Sequence, residues 1–167
     1  MKKLYGIILI IACLGNGSAQ TLKFGHIDLN DLIQNMPEGK KAEAELNKFQ
    51  NEMEEVLIEM QQSLQNMVND IEQMEKDASQ IKKDAKMDEL QNLQVRIQNY
   101  KITAQQQIQK KYDELFTPIY IKATEAINDV AKEHGLLYVF NTNSNAIVYK
   151  SNQSIDIFPY VKQRLFN

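Results

Sequence analysis

Apolar residues recur at sevenfold spacing along Leu46, Met53, Met60, Met67, Met74 and Ile81. From Leu57 a second line joins at the same interval through Leu64, Ile71, Ala78 and Ala85. The alternating steps of three and four residues place both lines on one narrow face of an α-helix, the seam pattern of a coiled coil. A later line, Leu90, Leu93, Ile97, Tyr100, Ala104 and Ile108, repeats it. No glycine or proline interrupts the chain between Gly39 and Pro118, and Lys40–Phe116 is rich in Glu, Gln, Lys, Met and Leu, all good helix formers. As one straight rod this stretch would reach about 115 Å at the α-helical rise.

Two features predict that it folds back instead. The seam loses phase near Ala78–Met87, where Lys82, Lys83, Asp84, Lys86 and Asp88 crowd the sequence. Strand-like stretches also flank the helical region, and short strands need partners to be stable. An antiparallel hairpin with its tip near residues 78–86 brings those flanks together, each arm then reaching roughly 55–60 Å. The helical arm spans residues 38–116, and residues 20–37 with 117–167 form a β-rich body.

In the first flank, Lys23–Leu29 mixes Phe24, Ile27 and Leu29 with polar residues and reads as a strand. Asn30 or Asp31 can cap a short helix over Leu32–Met36, closed by Pro37. Pro37 and Glu38 then open the long helix, since proline suits a first turn and acid suits the N-terminal dipole. Pro118 interrupts a helical pattern that continues through Ile119, Ala123, Ala126, Ile127 and Val130, which predicts a bend, and a hinge, where arm becomes body. Gly135 stops the helix behind Lys132 and His134. Leu136–Phe140 reads as a strand, Asn141–Asn145 as a turn and Ala146–Tyr149 as a second strand. A closing helix follows Asp156, with Leu165 facing inward. The expected fold class is therefore α+β, mostly α. Open sheet edges and a thin core invite self-association through the body, with Phe24, Ile27, Leu137, Val139, Ile147 and Tyr149 as its candidate residues. A closed symmetric oligomer joined at the body would satisfy both needs.

Composition narrows the function. Of the 167 residues, 43% are hydrophobic and 25% charged, ordinary values that exclude wholesale disorder. Lys2-Lys3, the apolar run Leu4–Leu14 and the small residues Gly17-Ser18-Ala19 read as an export signal cleaved after Ala19. The alternative is a lipoprotein box at Ile10-Ile11-Ala12-Cys13, with Cys13 lipidated. The apolar run is shorter than the about 20 residues needed to cross a bilayer. Removing a leader that holds Lys2, Lys3 and no acid lowers the formal charge from −3 to −5, which argues against nucleic acid as a partner. It also leaves no cysteine, hence no disulfide framework and no thiol chemistry.

No catalytic constellation is legible. His26 and His134 are the two histidines and lack metal-ligand spacing; His26 reads as a strand residue and His134 as a helix C-terminal one. Nucleophile motifs, P-loops and dinucleotide glycine patterns are absent, and no cofactor is called for. The seam reads as structural, holding the two arms together. Ile58, Val68, Val95 and Ile102 fall off it and have no evident burial partner on a two-helix arm. They form either a weakly adhesive wall for unfolded chains or ordinary surface. Lys82, Lys83 and Lys86 form either a solvated turn or an anion-seeking tip.

Three stretches together resemble the OmpH/Skp family of periplasmic chaperones. They are Phe24-Gly25-His26-Ile27-Asp28 with Met36-Pro37-Glu38-Gly39-Lys40; Leu115-Phe116-Thr117-Pro118-Ile119 with Lys122, Ala126-Ile127, Val130-Ala131-Lys132-Glu133 and Gly135; and Tyr138-Val139-Phe140, Ile147-Val148-Tyr149 and Asp156. The resemblance covers essentially the whole chain. It implies a jellyfish-shaped homotrimer with a β-rich body and three helical-hairpin tentacles around a cavity. It also implies a periplasmic, ATP-independent holdase that binds unfolded outer-membrane proteins, with no catalytic residues. Well-studied members are strongly basic, whereas this chain is acidic, which speaks against lipopolysaccharide or anionic-membrane contact. The competing expectation is a structural coiled-coil spacer or lipid-anchored envelope tether.

Overall fold

The computed structural model describes residues 22–74, 78–144 and 146–166. The expected leader, its cleavage site after Ala19 and the alternative lipidation site at Cys13 lie outside the described residues. The elements are β1 (Phe24–Ile27), α1 (Leu29–Asn35), α2 (Pro37–Gln73), α3 (Gln80–Glu133), β2 (Tyr138–Asn141), β3 (Ile155–Asp156) and α4 (Phe158–Phe166).

The first strand passes into α1 through Asp28, whose carboxylate accepts the backbone N–H of Asp31 at 2.9 Å. The cap is therefore Asp28, not Asn30 or Asp31, and the helix starts earlier than expected. A side-chain oxygen at this position satisfies an otherwise unpaired first-turn donor. Met36 precedes a proline and is held in an extended conformation, which ends α1 and lets Pro37 open α2. The two helices meet closely here. A Cβ on Gly39 would lie 1.9 Å from the carbonyl oxygen of Ile33, so only glycine admits this approach.

The arm is an antiparallel pair of α2, 37 residues, and the N-terminal part of α3, 54 residues in all. Its direction is fixed by cross-links in reversed order: Tyr100 to Met53, Lys111 to Glu45 and Lys122 to Glu38. At the α-helical rise α2 is about 55 Å long. Leu46, Met53, Leu57, Met60, Leu64, Met67, Ile71 and Met74 are half-buried against Leu90, Leu93, Ile97, Tyr100, Ala104 and Ile108. Leu93 and Ile97 are the most deeply covered. A two-helix arm can shield each seam from one side only, which is why most positions remain half-open.

The first arm helix ends at Gln73 and the second begins at Gln80, so residues 80–86 of the expected tip at 78–86 are helical. Two seam positions fall out as a result. Ile81 is 80% exposed and Ala85 is also exposed, because they begin α3 beyond the last facing layer. Lys82, Lys83 and Lys86 sit in the first turns of α3, not in the connecting turn.

The same helix then runs unbroken through Pro118 into the body. The expected bend is not a helix break: Pro118 lies on an exposed face, and only its own backbone donor is missing. Beyond it the buried stripe Ile119, Ala123, Ala126 and Val130 takes over at steps of four and three residues. Gly135 at φ 62° closes the helix, with the Leu136 N–H donating to the Ala131 carbonyl at 2.9 Å and the Gly135 N–H to Lys132 at 3.1 Å. This is the left-handed glycine stop expected of Gly135.

The sheet has the order β2-β1-β3, and both outer strands run parallel to β1. Gly25 lies opposite Val139 on one side and Ile155 on the other. The expected strand at Ala146–Tyr149 is absent; its residues are irregular, and Val148 and Tyr149 are 97% and 84% exposed. The physical reason is topological. A parallel third strand needs a crossover connection, so the chain between β2 and β3 must return to the opposite end of the sheet before pairing. One face of the sheet meets the helices, where Ile27, Leu32, Ile33, Met36, Ala42, Ile157 and Val161 join the body stripe of α3 in a single core. Leu165 packs against that core, as expected.

Candidate binding surfaces of arm and body

Three surfaces stand out once the core is accounted for. The first is on the arm. Ile58, Val95 and Ile102 are 44%, 58% and 56% exposed, as unpartnered off-seam residues should be. Val95 and Ile102 lie seven residues apart on α3 and so share one face two turns apart. Val68 departs from expectation: it is half-buried. Val56 on α2 is also exposed at 41% and was not singled out by its spacing, because valine next to the Leu57 seam position reads as a seam neighbour. Beside the seam, a cavity of about 450 Å³ opens between Met60 and Met67 on α2 and Leu93 and Arg96 on α3. Methionine walls of this kind accommodate varied apolar shapes.

At the tip, Lys86 donates to Glu89 at 2.6 Å, and that hydrogen bond raises the lysine's pKa. Lys82 and Lys83 lie in the first turn of α3, where the helix dipole is already positive and the turn itself holds no acidic residue. At the root, Lys122 donates to Glu38 and Lys111 to Glu45, each at 2.5 Å. The bond from Lys122 holds the Glu38 carboxyl below its ordinary range, and the bond to Glu45 raises Lys111. These pairs are solvent-exposed, so they fix the register of the two helices more than they stabilise them.

The second surface is the sheet face turned away from the helices. Alternation along β1 and β2 sends Ile27 and Val139 inward, while Phe24, Tyr138 and Phe140 emerge together. The rings of Phe24 and Tyr138 stack at 6.4 Å, and Phe24 lies 6.2 Å from Phe140. Of the candidate self-association residues, Ile27 is buried in the chain's own core and Val139 packs against it. Phe24, Leu137 and Tyr149 remain exposed and Ile147 half-exposed. Tyr138 and Phe140 join them. The alternating pattern of the Leu136–Phe140 run was the signal that would have found them.

The third feature is a polar cluster on that same face. His26, centred on β1, is 8% exposed. Its Nδ1 lies 2.8 Å from the Ser154 hydroxyl and its Nε2 lies 2.8 Å from the Lys150 ammonium. Burial foremost, then the charge of Lys150, lowers the His26 pKa, with Asp156 acting in the opposite sense. A cavity of about 500 Å³ on this face is lined by Phe24, His26, Phe140, Tyr149, Lys150 and Ser154, among others. His134, by contrast, caps α3, with its ring 4.4 Å from that of Tyr160.

Among the described residues no group of three or more His, Cys, Asp or Glu side chains is placed to hold a metal ion. Among them, too, no helix is long and apolar enough to cross a membrane. No curated protein matches the chain at the sequence level. A crystal structure of a candidate outer membrane chaperone (OmpH-like) from Caulobacter crescentus CB15 is similar in fold, with a TM-score of 0.71 and 14% identity over 90% of this chain and 88% of that one. The sequence model of the outer membrane protein (OmpH-like) family matches residues 23–165, from just before the first strand to the last turn of the final helix. With the arm, the body and their order all contained in that match, the chain belongs to the OmpH-like family.

Proposed function

We propose that this protein is an ATP-independent periplasmic holdase, a homotrimer that binds unfolded outer-membrane proteins in a cavity between its arms. The observation that carries the reading is the arm itself. It leaves Ile58, Val95 and Ile102 exposed, along with Val56, on a family member whose two-helix arm has no third element to cover them. Scattered aliphatic side chains among amides give many weak contacts, and three copies of the arm would multiply them by avidity. Holding the unfolded state of a client keeps its apolar surface from aggregating.

Self-association would use the aromatic sheet face. Phe24, Tyr138, Phe140 and Tyr149 form an exposed apolar area of the kind that marks interaction sites, and β2 and β3 leave their outer edges open. Export by a leader cleaved after Ala19 places the protein in the compartment where such clients pass. The test is aggregation of a urea-unfolded β-barrel membrane protein diluted into near-stoichiometric trimer. Suppression is expected, and Val95→Gln with Ile102→Gln should weaken it. Absence of suppression by a trimer shown intact by mass would overturn the proposal.

A further inference from the structure

The two parallel strands flanking β1 are joined by a strap of which residues 146–151, 153 and 154 line the same cavity as Phe24, His26 and Phe140. Among the described residues, the side-chain hydrogen bonds that tie this strap to β1 both end on one imidazole ring. They are His26 Nδ1 with Ser154 Oγ and His26 Nε2 with Lys150 Nζ, each at 2.8 Å. An ammonium only donates, so Nε2 must be the accepting nitrogen and Nδ1 must carry the proton that goes to Ser154. The latch therefore requires neutral histidine in one tautomer.

We propose that His26 is a proton-operated latch, and that protonation of its ring releases the Lys150 part of the strap from the sheet while Ser154 stays bound. Protonation turns Nε2 from acceptor to donor and sets a second positive charge against Lys150. That bond is lost and replaced by repulsion, while the bond to Ser154 survives because a hydroxyl oxygen still accepts. The groups around the ring are few. The strap brings Lys150 and Tyr149, β3 brings Asp156 opposite His26, and β2 brings the phenol of Tyr138 as its one ionisable group. Asp156 favours the imidazolium but is itself exposed, with its Oδ1 accepting the Phe158 N–H at 3.0 Å.

The sign follows from the direction of the shift. His26 takes up its proton below the ordinary value of 6.5, chiefly because it is buried. The latch contributes fully above that value and is lost as pH falls through the lowered pKa of the latched state. Loosening the strap would open the cavity beside the already exposed Phe24 and Phe140, so acid would alter the aromatic face. The latch itself stands on the hydrogen bonds and not on the holdase reading.

The experiment is histidine-ring NMR of the full chain against pH, with His134 as the reference signal, alongside amide protection factors for residues 146–154. Protection should fall with the titration of His26, by about tenfold for each unit of pKa difference between latched and released strap. Lys150→Met should raise the His26 midpoint, and His26→Gln should remove the pH dependence. Protection that ignores pH, or a His26 midpoint unmoved by Lys150→Met, would overturn the latch. Should His26→Gln fail to fold, the Lys150→Met comparison decides alone.

Discussion

The hydroxyl of Tyr100 on α3 lies 3.2 Å from the backbone carbonyl of Met53 on α2 and 3.3 Å from its sulfur. A tyrosine at a seam position thus reaches across the arm to a carbonyl already used within its own helix. It sets the axial register of two helices that are otherwise joined by slippery methionine and leucine contacts. Tyr100→Phe keeps the ring and removes the bond. The expected cost is about 0.5–1.5 kcal/mol, the range of a single hydrogen bond. Amide exchange should show it as lost protection around Met53 and Tyr100, with the body unchanged.

Gly39→Ala would ordinarily favour a helix by about 1 kcal/mol. Here the sign reverses. The new methyl would meet the Ile33 carbonyl at 1.9 Å, and backbone, not a flexible side-chain end, is what must move. A loss of about 1–3 kcal/mol is expected in urea denaturation, typical of overpacking at a rigid contact. A stabilised variant would show that α1 and α2 can separate freely.

Tyr112 stacks on Phe116 at 4.6 Å and its hydroxyl lies 3.3 Å from that of Tyr120. The bond to Tyr120, aided by burial, pushes the Tyr112 pKa up to about 12. A raised phenol pKa means the folded state keeps its proton longer than the unfolded chain. Stability from this pair is complete below pH 10 and declines as pH rises from there towards 12. Tyr120→Phe should move one phenol to lower pH in a tyrosinate absorbance titration; an unchanged titration would refute the pairing.

Pro118 denies α3 one backbone bond, to the carbonyl of Glu114, at the passage from arm to body. Pro118→Ala restores it and should stabilise the helix by up to about 2 kcal/mol after allowing for the freer unfolded chain. The arm should also stiffen at its root. Solution scattering then reports a narrower range of arm directions relative to the body, and an unchanged range would remove any hinge role from Pro118.

The arm was legible in the sequence because a sevenfold repeat is a local property: Met53, Met60 and Met67 face the partner helix by spacing alone. Where locality ends, so does legibility. Ile81 keeps the sevenfold spacing yet lies 80% exposed, since the position of the turn decides which repeats find a partner. The body shows the same limit. Ile147, Val148 and Tyr149 have strand chemistry, but β1 takes its second partner from Ile155–Asp156, two residues too few to show a pattern. The exposed aliphatics Ile58, Val95 and Ile102 were readable as seam exceptions. The His26 cluster was not, because its partners lie 124 and 128 residues away.

The parallel sheet around β1 also dictates an order of events. Both strands that flank it come from the far side of the arm, and the His26 to Ser154 bond closes a separation of 128 residues. Closing so long a flexible loop carries an entropic cost that grows with its length, and non-local pairings of this kind fold slowly. The hairpin removes most of that loop, since each layer zipped from the turn downward draws the two flanks nearer. Until the last layer closes, β1 is an unpaired edge on a chain delivered N-terminus first. The arm is thus the scaffold on which the protein completes its own folding.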